Sequence, residues 1–237
     1  MLRASDSVES GSALYKTFAS YNRASNKPSL KVNFYAGNVA LVGIPDDKND
    51  HNHSTVFTTI TPYLQSKGLT RSIYYGNTLK TTVEGYLDNN QNSVFVSRSH
   101  GNHYSPILNG SEFLIYTSII LNNSTGEYLN SRDLTSTLNL SNLKLAVFVG
   151  CFTGKGGEGA NNLPTAVVQK GAGTAIGFQK IIDCDDANRW TERFFYYLST
   201  GHTVQSACNA IKGLTTGWKD KPSIDTVVIC GNKQAMF

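Results

Sequence analysis

The feature that most constrains the fold is an alternation between short apolar runs and amphipathic segments from residue 39 onward. The runs that predict strands are residues 39–44, 71–75, 93–97, 144–150, 173–178 and 226–230. Between them, apolar residues recur at helical spacing, as in Trp190, Phe194 and Tyr197. Strands that alternate with helices predict a mostly parallel sheet covered on both faces. We therefore predict an α/β three-layer sandwich with about six strands.

Three local signals refine this prediction. Pro62 is expected to kink or shorten the first helix, because proline cannot donate a backbone hydrogen bond. The Asn109-Gly110 pair predicts a hairpin whose second arm runs over residues 112–121. A short helix is predicted over residues 131–138, with a serine at its first position as the cap.

Length and composition limit the domain organisation. A chain of 237 residues with 40% hydrophobic residues can form a core without metal or disulfide support. Residues 1–29 are polar and are expected to form an N-terminal arm, and residues 30–237 form one domain. The four cysteines show neither a zinc spacing nor a disulfide framework, so no structural metal is expected.

Charge and hydropathy limit the kinds of partner that the protein can bind and the cellular compartments in which it can function. The net charge of +4 is spread along the chain without a basic block, which argues against nucleic-acid binding. The apolar stretches are too short to cross a membrane. The first residues lack the apolar core of a signal peptide, which suggests a cytoplasmic protein, or a secreted one if the natural chain begins before Met1. The oligomeric state is not decided by the sequence.

Two reactive side chains follow the ends of predicted strands. His100 comes after the strand at residues 93–97, and Cys151 comes directly after the strand at residues 144–150. The carboxyl ends of parallel strands open on one edge of the sheet, so the two side chains converge if their strands are neighbours. An imidazole can take the proton of a thiol, and the thiolate can then attack a carbonyl carbon.

The residues beside this pair fit the same chemistry. The oxyanion that forms during acyl transfer needs backbone N–H donors, and those of Gly101 and Cys151 are the natural candidates. Gly101 also allows the backbone to approach a substrate closely. His103 either lines the substrate groove or has no part in it.

At this point the sequence resembles the caspase-like superfamily of cysteine peptidases, which includes caspases, clostripain, gingipain, separase and bacterial CHAT domains. The resemblance rests on residues 94–101 (VFVSRSHG) and 145–154 (LAVFVGCFTG), 51 positions separating His100 from Cys151. It covers most of residues 39–231. It implies a bacterial peptidase that cleaves peptides or proteins without a cofactor, with His100 as acid and base and Cys151 as nucleophile.

The sequence departs from these relatives just before Cys151. Many of them place an acidic residue there to bind a basic P1 side chain, whereas this chain has Val149 and Gly150. The missing acid could be replaced in the S1 pocket by the carboxylate of Asp183, Asp185 or Asp186, and we therefore favour substrates with a basic P1 residue. Alternatively, Asp183 or Asp185 caps the following helix.

Two other readings stay open. His51 with His53, and His100 with His103, could form a catalytic metal site together with Asp46, Asp47 or Asp50. The spacing of His100 and His103 does not put both rings on one face of a strand, and the sequence has no H-E-x-x-H motif, so we expect no metal. The missing acid before Cys151 also allows an inactive caspase-like module that binds or scaffolds other proteins. An intact pair of His100 and Cys151 favours the endopeptidase.

Overall fold

The computed structural model describes residues 37–43, 53–75, 78–89, 91–122, 125–134, 138–214 and 216–236. The predicted N-terminal arm, residues 1–29, lies outside these ranges, as does His51. Within the described residues, no helix is long and apolar enough to span a bilayer.

Eleven strands are found in the described part of the chain. They are β1 (Asn38–Gly43), β2 (Thr70–Tyr75), β3 (Asn92–Arg98), β4 (Gly101–Tyr104), β5 (Ile107–Leu108), β6 (Ser111–Glu112), β7 (Tyr116–Asn122), β8 (Glu127–Asn130), β9 (Leu145–Val149), β10 (Thr174–Phe178) and β11 (Val227–Gly231). The described ranges also hold six helices. They are α1 (His53–Gln65), α2 (Lys80–Leu87), α3 (Leu163–Gln169), α4 (Cys184–Ser199), α5 (Val204–Leu214) and α6 (Lys221–Asp225).

The six predicted strands form one central sheet in the order β11-β10-β9-β3-β1-β2. Every neighbouring pair is parallel except β10 and β11, which are antiparallel. Strands β1, β3, β9 and β10 are almost entirely buried, which explains why they read as continuous apolar runs rather than alternating ones. The predicted α/β sandwich with about six strands is confirmed.

Two apolar clusters cover the two faces of this sheet. One contains side chains of α1, α4 and α5, and Trp190 at its centre stacks on Phe194 with ring centroids 4.8 Å apart. The other contains side chains of α2, α3, β7 and β8. Each large apolar side chain that is fully buried stabilises the fold by about 1.5–3 kcal/mol. The two clusters make the three layers that the sequence predicts.

The structure corrects the predicted hairpin. Asn109 and Gly110 do form the turn, both with positive φ (52° and 78°), but β5 and β6 are only two residues long. The predicted second arm is interrupted at residues 113–115, and β7 belongs to a separate sheet in the order β4-β7-β8. The apolar run over residues 113–121 is therefore not one continuous strand.

Two helix predictions are also corrected. Residues 131–134 form a turn and residues 138–140 have no regular structure, and residues 135–137 lie outside the described ranges. Pro62 does not shorten α1, which continues to Gln65. Pro62 is exposed, and its carbonyl accepts the N–H of Ser66 at 3.0 Å, so the helix ends with normal hydrogen bonding.

Candidate active site

The candidate site lies where β3 and β9 end side by side. The two strands are parallel neighbours, and the last register pair is Arg98 with Val149. The N–H of Ser99 then donates to the carbonyl of Val149 at 3.1 Å. His100 and Cys151 each come two residues after that register pair, so the structure brings their backbone segments together.

Two glycines make this close approach possible. A Cβ atom on Gly101 would lie 2.0 Å from the carbonyl oxygen of Cys151, and one on Gly150 would lie 2.6 Å from the carbonyl oxygen of Ser99. Both distances are far inside van der Waals contact. Any other residue at these positions would therefore force the segments of His100 and Cys151 apart.

The sulfur of Cys151 is half-buried beneath the backbone of Ile182. Its Sγ atom lies 3.5 Å from the N–H of Ile182 and 3.7 Å from the carbonyl oxygen of that residue. Burial raises the pKa of the Cys151 thiol, and the Ile182 N–H only partly offsets this effect. At neutral pH the sulfur therefore carries its proton, and a nearby base is needed to remove it.

The two backbone donors considered for an oxyanion are also adjacent. The carbonyl of His100 accepts from Ile120 of β7 at 2.9 Å. Hydrogen-bonded and non-hydrogen-bonded pairs alternate in an antiparallel ladder, so the N–H of Gly101 points away from β7. A Cβ atom on Gly101 would be 2.9 Å from the nitrogen of Cys151, which places the two N–H groups close together.

The loop after Cys151 is tied to the neighbouring strand β10. Phe152 has a positive φ of 59°, and its N–H donates to the carbonyl of Lys180 at 3.1 Å. The buried hydroxyl of Thr153 accepts from the N–H of Phe178 at 3.0 Å and donates to the carbonyl of Phe148 at 2.9 Å. These contacts fix the backbone that follows the cysteine without using the cysteine side chain.

His103 lies in a charged cluster on the same side of the site. Its ring contacts the ring of Phe152 with centroids 4.5 Å apart, and its Nε2 atom accepts from Lys155 Nζ at 2.7 Å. Lys155 also pairs with Glu112 of β6. Burial and the charge of Lys155 lower the pKa of His103. His103 is therefore neutral at pH 7 and links the loop after Cys151 to the hairpin.

The three aspartates considered for the S1 pocket have different surroundings. Asp183 is the N-cap of α4, and its carboxylate accepts from the N–H groups of Asp185 and Asp186 at 2.9 and 3.4 Å. The Asp186 side chain is only 1% exposed and accepts from the N–H of Asp220 at 2.8 Å. Asp185 is 70% exposed, with Lys219 Nζ 3.7 Å from its carboxylate. Of the three carboxylates, that of Asp185 is the most exposed, against 29% for Asp183.

Arg98 is a charged residue of the site that the sequence analysis did not single out. It ends β3, is only 2% exposed, and donates to Asn188 and to the carbonyl of Cys184. A signal was present, because Arg98 continues the one-face series of Val94 and Val96 that packs into the core. An arginine on that series had to be buried.

The remaining cysteines and the possible metal ligands complete the description. Cys208 and Cys230 are buried, whereas Cys184 at the start of α4 is partly exposed, and all four cysteines are free thiols. Among the described residues, no three His, Cys, Asp or Glu side chains are grouped to hold a metal ion. Asp46, Asp47 and Asp50 lie outside those residues.

Comparison with known proteins agrees with the architecture. Residues 99–212 match the CHAT domain. The chain is similar to Saccharomyces cerevisiae separase in its complex with securin, with a TM-score of 0.59 and 14% identity over 94% of this chain and 13% of separase. It is also similar to gingipain R, an Arg-specific cysteine proteinase, with a TM-score of 0.58 and 14% identity over 97% of this chain.

A third similar structure is the complex of the pro- and mature domains of Porphyromonas gingivalis RgpB, with a TM-score of 0.57 and 12% identity over 86% of this chain. The chain spans about half the length of the gingipain chains, 54% and 49%, and a small part of separase. No curated protein sequence matches it. At such identities the likeness shows the fold alone.

Proposed function

We propose that this chain, whose residues 99–212 match the CHAT domain and whose fold is similar to those of separase and gingipain R, is a caspase-like cysteine endopeptidase. The observation that carries the proposal is the contact between the His100-Gly101 and Gly150-Cys151 segments at the carboxyl edge of the sheet. That edge is where parallel α/β proteins place their active sites.

In the proposed reaction His100 takes the proton of the Cys151 thiol, and the sulfur attacks the carbonyl carbon of the scissile peptide bond. The N–H groups of Gly101 and Cys151 donate to the oxyanion of the tetrahedral intermediate. His100 then protonates the leaving amine, and a thioester remains on Cys151. A water molecule, activated by His100, hydrolyses the thioester and restores the thiol.

The proposed substrate is an extended segment of a peptide or protein. A basic P1 side chain would meet the exposed carboxylate of Asp185, whereas Asp183 and Asp186 are held by the fold. The similar structures support a protein ligand, because one is a complex with securin and another a complex of pro- and mature domains.

The second candidate is a catalytically inactive module that binds other proteins. It is favoured by Val149 and Gly150 at the positions where many relatives have an acid, and by the raised pKa of Cys151. In this reading the same edge of the sheet holds a protein ligand without cleaving it.

Covalent labelling distinguishes the two candidates. Peptidyl acyloxymethyl ketones with Arg or Lys at P1 are incubated with the protein, and the label is located by intact mass and peptide mapping. An active peptidase is expected to be labelled at Cys151, and both His100→Ala and Cys151→Ala should abolish the label. The Cys184→Ser variant is the matched control, since Cys184 is the other partly exposed thiol, and it should retain the label on Cys151.

A panel of the same reagents with Leu, Asp or Ala at P1 tests the specificity. Labelling by these reagents but not by those with Arg or Lys at P1 would contradict the preference for basic P1 residues and would still support a peptidase. Silence across the whole panel from a folded protein would favour the binding module.

A further inference from the structure

Arg98 holds a buried positive charge beneath the candidate nucleophile. The residue is 2% exposed. Its Nε atom donates to Asn188 Oδ1 at 2.8 Å, and its Nη2 atom donates to the carbonyl of Cys184 at 3.2 Å. Among the described residues, no carboxylate forms an ion pair with it. A charge that is buried without an ion-pair partner is costly, so its position needs an explanation.

Arg98 and Cys151 lie on the same face of the sheet. Val96 and Val149 both belong to the apolar cluster under α1 and α4. Side chains two residues apart on a strand share a face, which places Arg98 after Val96. Cys151 follows Val149 and packs against the same cluster. The guanidinium and the sulfur therefore face the same layer at the ends of adjacent strands.

The two residues also contact one short segment. The sulfur of Cys151 touches the N–H and carbonyl of Ile182, and the guanidinium of Arg98 binds the carbonyl of Cys184 two residues later. The bond from Arg98 to Asn188 ties the end of β3 to the second turn of α4, which follows this segment. Arg98 thus holds the backbone that covers the sulfur.

We propose that Arg98 is the positioning residue of the Cys151 nucleophile: it fixes the Ile182–Cys184 segment against the sulfur, and its charge stabilises the thiolate. The proposal rests on the proposed role of Cys151 as nucleophile. When Cys151 ionises, the buried positive charge gains a nearby negative partner, which reduces the cost of burying both.

The other groups around the pair act in both directions. Burial is the largest influence and raises the pKa of Cys151, the neighbouring Cys184 raises it further, and the charge of Arg98 lowers it. Burial also lowers the pKa of Arg98, while Cys184, Cys151 and Asp183 act to raise it. His100 comes two residues after Arg98. Because the pKa of a guanidinium starts so high, Arg98 stays charged at neutral pH.

The test measures how the alkylation of Cys151 by iodoacetamide depends on pH. The rate is followed by intact mass in a Cys184→Ser background, so that Cys151 is the only partly exposed thiol among those described. Arg98→Met is expected to raise the midpoint of the pH profile by about one unit, a tenfold slower alkylation at pH 7. Arg98→Lys keeps the charge and should retain most of the original midpoint.

These outcomes separate a role at the sulfur from a purely structural one. If Arg98 only ties β3 to α4, both variants lower the thermal stability equally and leave the midpoint unchanged, which overturns the proposal. An equal rise in Arg98→Met and Arg98→Lys also overturns the electrostatic role. Arg189→Met is the matched control, because Arg189 is a 59% exposed arginine on α4, next to Asn188, and the midpoint of this variant should stay at the reference value.

A second variant decides the matter if Arg98→Met does not fold. Asn188→Asp places a carboxylate of nearly the same shape 2.8 Å from Arg98 Nε. The new ion pair should draw the guanidinium charge away from the sulfur and raise the midpoint, and an unchanged midpoint overturns the proposal. Iodoacetamide needs no peptide-binding site. If no peptidyl reagent labels the protein but the Arg98 variants still shift the midpoint, the proposed peptidase activity is wrong and the proposed role of Arg98 stands.

Discussion

At the scale of single residues, the site depends on a backbone contact that only glycine allows. Gly101→Ala would place a methyl group 2.0 Å from the carbonyl oxygen of Cys151. We expect at least a tenfold loss of labelling at Cys151, because the two N–H groups separate, and a loss of about 1–3 kcal/mol in the free energy of unfolding. Reagent labelling and chemical denaturation measure the two effects.

The control for this substitution is Gly85→Ala in α2. A Cβ atom at Gly85 meets nothing within 4 Å, and alanine favours a helix over glycine by about 0.5–1 kcal/mol. This variant should be slightly more stable and should be labelled normally. If Gly101→Ala were labelled as fast as Gly85→Ala, the proposed oxyanion site would be wrong.

The residues of the site differ in how far sequence could reveal them. His100 and Cys151 can be predicted because each follows a strand and carries chemistry that apolar packing does not need. Arg98 and Lys155 are distant in sequence from their partners: Arg98 binds Asn188, and Lys155 binds His103 and Glu112. Such pairs depend on the strand order, which no local pattern contains.

At the scale of elements, the start of α4 depends on the carboxylate of Asp183. Asp183→Ala removes the acceptor for two backbone N–H groups and the ion pair with Lys219 at 3.3 Å. The expected loss is about 1 kcal/mol in the free energy of unfolding, measured in urea. Asp183→Asn keeps an oxygen at the cap and should lose less. Equal stability of Asp183→Ala and the wild type would contradict the capping role.

The carboxylate of Asp183 also makes the stability of the fold depend on pH, and the sign of this dependence follows from its pKa. Burial alone would raise the pKa of Asp183, but the bond from Lys219 and the two N–H donors outweigh it and lower the pKa. The stabilisation is therefore present above about pH 4 and is lost as the pH falls through the lowered value. The stability difference between wild type and Asp183→Asn should shrink below pH 4, as followed by thermal unfolding.

Elements were predictable where burial alone decides them. Strands β3 and β9 of the central sheet are buried on both faces, so their apolar runs carry a strong local signal. The hairpin turn forms, but its predicted long second arm is wrong because β7 pairs with β4 and β8 rather than with the strand across the turn. The helix over residues 131–138 was predicted from the helical spacing of Leu134 and Leu138. In the structure Leu134 is buried, but it lies in a turn and not in a helix.

At the scale of the whole molecule, the layers follow from the alternation of strands and helices, but the strand order does not. The order β9-β3-β1 places the ends of β3 and β9 together and so creates the candidate site. From the sequence alone, the convergence of His100 and Cys151 depends on whether β3 and β9 are neighbours. The antiparallel edge strand β11 was equally unpredictable, since its apolar run resembles those of the parallel strands.

The whole fold also contains a thiol that should make it less stable in alkali. Cys208 in α5 is 2% exposed, and burial raises its pKa from about 9 to about 12. Between these values the unfolded chain loses the proton and the folded chain keeps it, so stability falls as the pH rises. The expected slope is about 1.4 kcal/mol per pH unit above pH 9.

Urea denaturation at pH 7, 9 and 10 measures this slope. Cys208→Ala removes the titrating group, so it should be less stable at pH 7 because of the cavity but should lose less stability than the wild type between pH 9 and 10. Asn209→Ala, an exposed neighbour on the same helix, should keep the wild-type slope. Parallel profiles for wild type and Cys208→Ala would show that the Cys208 thiol ionises without unfolding, and that the cluster between α5 and the sheet admits water.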